Sequence, residues 1–157
     1  MLSARSPAAK PLTTISLKGR ALRLLSGREH SRAELAKRLQ PYEEAPGDLA
    51  KALDELEAKG FISEQRVIES VINRRQAKLG SARIRQELQG KGLDKDAVID
   101  AVASLQATEL DRARDIWNRK FGEVATDAKS RGQQMRFFAS RGFSGDVIRK
   151  VMAGEAQ

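Results

Sequence analysis

The 157-residue chain has no cysteine, one histidine, four prolines and seven aromatic side chains. The missing cysteine excludes a disulfide framework, a thiolate metal site and a cysteine nucleophile; a reducing compartment suits such a chain without being required by it. With His30 alone, a histidine-rich metal site or a Ser-His-Asp triad would have to rest on one residue. No stretch approaches the ~20 apolar residues of a membrane span, so a soluble protein is expected. Residues 1–15 carry Pro7 and Pro11 and no apolar run long enough for a signal-peptide core, and they read as a flexible arm. Phosphate-loop chemistry is missing too, because Gly90-Lys91 is followed by Gly92 where Ser or Thr is needed. Neither HExxH nor GxSxG occurs. Asp94 and Asp96 stand at a helix start, where carboxylates serve as caps and meet the helix dipole. Glu43-Glu44 lies in a loop beside no acid or base partner. Neither an enzyme nor a cofactor is expected.

What is present favours helix. Leu17, Ala21, Leu22, Leu24 and Leu25 predict a first helix, with Gly27 as its stop. Ser31-Arg32-Ala33-Glu34 has the capping-box pattern and opens a second helix, with Leu35, Ala36 and Leu39 inward and Pro41 at its end. Pro46-Gly47-Asp48 leads into a third helix through Leu49, Leu53 and Leu56, closed at Lys59-Gly60 by a left-handed glycine with Phe61 and Ile62 folding back. The layout then recurs. Val67, Ile68, Val71, Ile72 and Leu79 predict a long helix that Gly80 interrupts; Ile84 and Leu88 predict a short one that Lys91-Gly92 ends; Asp94 caps a third through Val98, Ile99, Val102 and Leu105. A last round carries Ile116, Trp117 and Phe121, then Met135, Phe137 and Phe138, then Arg141-Gly142, Ser144 as cap, and Val147, Ile148, Val151 and Met152.

The second and third rounds align at an offset of 50 residues. Lys91-Gly92-Leu93-Asp94-Lys95-Asp96 meets Arg141-Gly142-Phe143-Ser144-Gly145-Asp146, while Val67 meets Trp117, Val71 meets Phe121, Leu88 meets Phe138, Val98 meets Ile148 and Val102 meets Met152. Matches on inward positions and on the turn together are the mark of a repeat. The expected fold is therefore all-α. It consists of three tandem three-helix, helix-turn-helix-like repeats at 16–63, 64–107 and 108–157, in an elongated, curved arrangement.

The net charge of +8 is unevenly spread. Residues 16–63 carry 9 basic against 8 acidic side chains. Two segments are far more basic, each with a net +5: Gln65 to Lys91, and Lys129 to Lys150. Arg74 and Lys78 share a helix face with Arg75 beside them, and Gly80 is expected to bring Arg83 and Arg85 round the corner, so that five cations converge. Lys91, Arg131, Arg136 and Arg141 form a second tier. Such clusters fit a phosphate backbone or an acidic protein groove, with strongly salt-dependent contacts. The five aromatics of the last round are expected in its core, with one of the adjacent Phe137 and Phe138 partly exposed. Tyr42, in a Pro-flanked loop, is a candidate surface contact.

Residues Gly19 to Leu39, with the Arg28-Glu29-His30-Ser31 turn before Glu34-Leu35, resemble the opening signature of the bacterial RecX regulatory family. Gly60-Phe61-Ile62-Ser63-Glu64 through Arg74, then Gly80 to Leu88 with Lys91-Gly92-Leu93, resemble its central segment, and Arg141-Gly142-Phe143 continues the likeness, which spans about residues 16 to 152. Two departures stand out: Val67-Ile68-Glu69-Ser70-Val71-Ile72 replaces a stretch that often holds Tyr and Ala, and His30 stands where Arg is usual. The resemblance implies a cytoplasmic, monomeric modulator of the RecA recombinase. It would bind the RecA filament on single-stranded DNA, and double-stranded DNA as well, without sequence preference. It would limit filament extension, ATP hydrolysis, strand exchange and co-protease activity, and so modulate recombination, DNA repair and the SOS response. The rival expectation is a sequence-specific helix-turn-helix or winged-helix transcription regulator, since Ser31-x-x-Glu34 and Ala52-Leu53-x-x-Leu56 before Gly60-Phe61-Ile62 also fit that module.

Overall fold

A computed structural model describes residues 14–154, so that the arm expected at 1–15 lies outside them except for Thr14 and Ile15. Among the described residues eight α-helices follow one another: α1 (Leu17–Gly27), α2 (Arg32–Leu39), α3 (Asp48–Ala58), α4 (Glu64–Arg75), α5 (Ser81–Gln89), α6 (Lys95–Lys120), α7 (Ala128–Ser140) and α8 (Gly145–Ala153), with a 3-10 turn at Gln40–Tyr42 after α2. The described residues contain no strand, and hence no β-wing beside α1 to α3. None of their helices is long and apolar enough to cross a membrane. The chain divides after Ile62 into two compact units.

In the first unit the helix signals act locally, as capping theory requires. The Ser31 hydroxyl accepts from Glu34 N at 3.1 Å while Glu34 Oε1 accepts from Ser31 N at 3.0 Å, so that two orphan amides are satisfied reciprocally. α3 begins after Gly47, whose φ of 92° only glycine adopts readily. Glycine offers no capping side chain, and Glu43 fills that role from the loop, its Oε2 accepting from Leu49 N at 2.8 Å. The loop carboxylate is thus a helix cap. The core gathers Ala21, Leu35, Leu39, Leu49, Leu53, Leu56 and Ile62. His30 is buried, and its Nδ1 lies 3.0 Å from the Arg28 carbonyl. A carbonyl can only accept, so Nδ1 carries the proton.

The second unit is organised by α6. Between Asp94 and Phe121 the sequence has neither Gly nor Pro, and one unbroken helix of 26 residues runs across position 107. Its first half packs with α4 and α5 around Ile68, Val71, Ile84, Leu88, Val98, Val102 and Leu105. Its second half packs with α7 and α8 around Ala113, Ile116, Trp117, Phe138, Phe143, Ile148 and Val151. Phe138 is fully buried, with ring centroids of Trp117, Phe121, Phe137 and Phe143 at 6.2, 6.3, 5.3 and 5.5 Å. Each such pair adds about 0.5–1.5 kcal/mol beyond area burial. The repeated turn has repeated geometry: Gly92 and Gly142 both have positive φ, at 68° and 88°. Beyond them the Asp94 carboxylate accepts from Ala97 N at 3.1 Å and the Ser144 hydroxyl from Val147 N at 3.2 Å.

Candidate functional site

The link between α4 and α5, residues 76–80, carries or borders most of the candidate cations, and three contacts hold it. Arg112, from the middle of α6, donates from Nη1 to the carbonyls of Gln76 at 2.9 Å and Leu79 at 2.8 Å, and from Nη2 to Leu105 at 3.0 Å. These carbonyls lie just past the end of α4 and within α6, and a planar guanidinium can satisfy several at once where an ammonium cannot. Burial lowers the Arg112 pKa below its ordinary value, and the neighbouring Glu109 carboxylate opposes that shift. Glu109 is itself buried at 5 % exposure, and its Oε1 accepts from Ser81 N, the first amide of α5, at 3.1 Å. The third contact is backbone to backbone. Gly80 N donates to Arg141 O at 2.8 Å and Ala82 N to Gly142 O at 3.2 Å. The approach is so close that a Cβ on Gly80 would stand 2.4 Å from the Gly142 carbonyl group, and one on Gly142 would stand 2.5 Å from Arg83.

This joint places Lys78 and Arg141 in one groove of about 530 Å³, lined also by Ala77, Ile116, Arg119, Lys120 and Phe137. Four cations and no carboxylate line it. The Phe137 ring holds two of them, with the Arg141 guanidinium 4.2 Å and the Lys120 ammonium 4.6 Å from its centroid. Phe137 is half-buried beside the fully buried Phe138, as their adjacency requires. Cation–π contact fixes long flexible side chains without neutralising them. Like charges gathered with no counter-charge raise the local potential and favour an anion over the groove.

The other candidates are distributed differently. Arg75 reaches across to α5, where its Nε and Nη2 lie 3.2 and 3.1 Å from Glu87 Oε1. Arg74 is exposed on the last turn of α4, which ends at Arg75 and not at Leu79 as expected, so that Lys78 lies in the link and shares no helix face with Arg74. Arg83 lies against the Gly142 backbone through its own backbone and Cβ–Cγ stem. Arg85, about 200° further round α5, lines a separate groove of about 720 Å³ between α5 and α6 with Lys95, Leu93, Val98 and Ile99. Lys91 is half-buried at the turn after α5, and Arg131 and Arg136 are exposed on α7, the latter folding back over Gly132. Arg112, Glu109, Arg119 and Lys120 escaped the sequence reading because α6 looks like an ordinary charged helix. The available signal was its uninterrupted length, which carries one polar stripe past both neighbouring turns.

In the second unit two helical cores share α6 and meet through their turns, with cations set on a ring and no acidic lining; together with the three-helix first unit this defines an all-helical protein of repeat type. Family models described as the first, second and third three-helix domains of RecX match residues 18–56, 63–102 and 107–152. "Regulatory protein RecX" of Leptothrix cholodnii is 51% identical over 138 residues, covering 88% of each chain. That of Herminiimonas arsenicoxydans is 47% identical over 143 residues, covering 91% of this chain and 95% of its own. The chain belongs to the RecX family. The crystal structure of RecX from Lactobacillus salivarius shares the fold, with a TM-score of 0.68 at 18% identity over 86% of this chain and 91% of that one. A second structure, titled regulatory protein RecX, gives a TM-score of 0.69 at 19% identity, over 88% and 72% of the two chains.

Proposed function

We propose that this RecX family member is a regulator without enzyme activity that binds the RecA filament on single-stranded DNA. It limits filament extension, ATP hydrolysis, strand exchange and co-protease activity, and thereby modulates recombination, repair and the SOS response in the cytoplasm. The observation that carries the reading is the carboxylate-free groove of Lys78, Arg119, Lys120 and Arg141 in a chain whose relatives are named regulatory proteins. The groove docks electrostatically on the filament, with Arg74 and Arg83 as flanking charges and Arg85, Lys91, Arg131 and Arg136 as outlying ones. Segments 16–63, 64–107 and 108–157 serve as successive contact modules of a monomer. Titrating the chain into RecA-dependent ATP hydrolysis on single-stranded DNA tests this directly. Inhibition at low stoichiometry is expected, and a Lys78→Glu/Arg141→Glu variant of unchanged helicity should need at least about tenfold more protein, with a weaker salt dependence. Full inhibition by that variant removes the site assignment. No inhibition by the parent chain removes the function.

A further inference from the structure

By count residues 16–63 are almost neutral, yet their charges are sorted. Lys18 pairs with Glu55, and Arg32 Nη1 lies 2.6 Å from Asp54 and 2.8 Å from Glu57. Arg28 lies 3.8 Å from Glu34. These pairs leave three arginines together on another face. Arg20 and Arg23 from α1 and Arg38 from α2 line a pocket of about 180 Å³ with Leu24, Leu39 and Tyr42. Arg20 and Arg23 share a face by their spacing of three. No carboxylate lines the pocket, and among the described residues none pairs with these three arginines. The Arg20 guanidinium sits 3.8 Å from the centroid of Tyr42, a residue that remains 49% exposed. Stacking occupies the face of a guanidinium and leaves its in-plane N–H donors directed outward, the arrangement that receives a phosphate bidentately. An exposed tyrosine beside such donors presents a ring on which any base can stack. A purely acidic protein segment would use the arginines and leave the ring without a role.

We propose that Arg20, Arg23, Arg38 and Tyr42 form a binding site for single-stranded nucleic acid in the first unit, with phosphates on the arginines and a base against Tyr42. It extends the filament reading by adding a nucleic-acid contact outside the Lys78–Arg141 groove. Its test contains no recombinase, so its failure leaves that reading standing. The probe is a labelled oligothymidylate bound to the full chain across a salt series, with a 5-iodouracil version for photocrosslinking. Arg23→Glu/Arg38→Glu should flatten the slope of log affinity against log salt by about 1.4, since each phosphate contact on a single strand contributes about 0.7. Arg23→Gln/Arg38→Gln gives the same reading if charge reversal disturbs folding. Tyr42→Leu should weaken binding by about fivefold or more, and Tyr42→Phe should restore it, because stacking needs the ring and not the hydroxyl. The crosslink should map to Tyr42. An unchanged slope in both arginine variants with no adduct at Tyr42 would overturn the proposal. So would loss of polyglutamate binding in those variants while oligonucleotide binding persists, since the cluster would then serve an acidic protein surface.

Discussion

Gly80→Ala is the most informative single change in the second unit, because the backbone angles at Gly80 are ones that alanine accepts. Its φ of −79° and ψ of 168° lie in the extended region, so any penalty comes from contact and not from torsion. The new methyl would stand 2.4 Å from the carbonyl carbon and oxygen of Gly142 and from Phe143 N, where ordinary contact begins at 3.4 Å. The α7–α8 turn must therefore retreat by about 1 Å, into no better packing. That retreat stretches the 2.8 Å bond from Gly80 N to Arg141 O and the 3.2 Å bond from Ala82 N to Gly142 O. Overpacking costs about 1–3 kcal/mol and each of the two weakened bonds about 1 kcal/mol, so a loss of about 3–5 kcal/mol is expected. The single Trp117 lies in the core of this unit and reports its unfolding. At a urea slope of about 2 kcal/mol/M the fluorescence midpoint should fall by about 1 M or more. Gly132→Ala is the control. It lies inside α7, where an added Cβ meets only the Arg136 side chain, and should raise the midpoint through about 0.5–1 kcal/mol of recovered helix propensity. Because the joint also brings Lys78 and Arg141 into one groove, Gly80→Ala should weaken salt-dependent anion binding there. An unchanged midpoint in Gly80→Ala would refute the backbone-to-backbone docking of the two turns.

Two further outcomes follow from named contacts. Arg112→Ala should destabilise the second unit by about 2–4 kcal/mol in the same urea assay, since hydrogen bonds to charged groups contribute about 1.5–3 kcal/mol and buried carbonyls would be left unpaired; Arg112→Lys should recover less than half, and full recovery would refute the fork geometry. Asp127 caps α7, and the backbone and side-chain hydrogen bonds from Ser130 hold its carboxyl below the ordinary aspartate range. A depressed carboxylate stabilises the fold above its unfolded-state pKa and loses that contribution as pH falls through the folded value. Asp127→Ala should accordingly lose less helicity than the parent chain as pH falls below the ordinary aspartate range, with the similarly depressed Asp146 titrating in both, and identical titrations would sink the assignment.

Ser31 with Glu34, Asp94 with Ala97 and Ser144 with Val147 act within three residues of themselves, so their capping follows from short-range chemistry written in the chain order. The left-handed Gly60, Gly92 and Gly142 belong to the same class, as does the alternation that buries Phe138 and leaves Phe137 half-buried. The repeat at offset 50 sets a boundary after residue 107, and the unbroken α6 crosses it; the absence of Gly and Pro between Asp94 and Phe121 is the local signal for that continuity. Glu43 was harder. Its partner Leu49 lies six residues on, and a carboxylate in a loop announces no acceptor role until the loop has folded.

The sequence by itself determined the helical character, the caps at Ser31, Asp94 and Ser144, the three rounds of helical pattern and the two basic segments, because each depends on neighbours within a turn or two. Only the tertiary structure decided which cations act together. Arg75 is taken by Glu87, Arg85 faces the α5–α6 groove, and Lys78 meets Arg119, Lys120 and Arg141 because two glycines let distant turns approach through their backbones. Nothing local tells Gly80 that its missing side chain makes room for the Gly142 carbonyl, or tells Arg112 that it will bridge the end of α4 to α6. Those outcomes depend on how one long helix carries its two cores past each other, and that is a property of packing across the whole second unit.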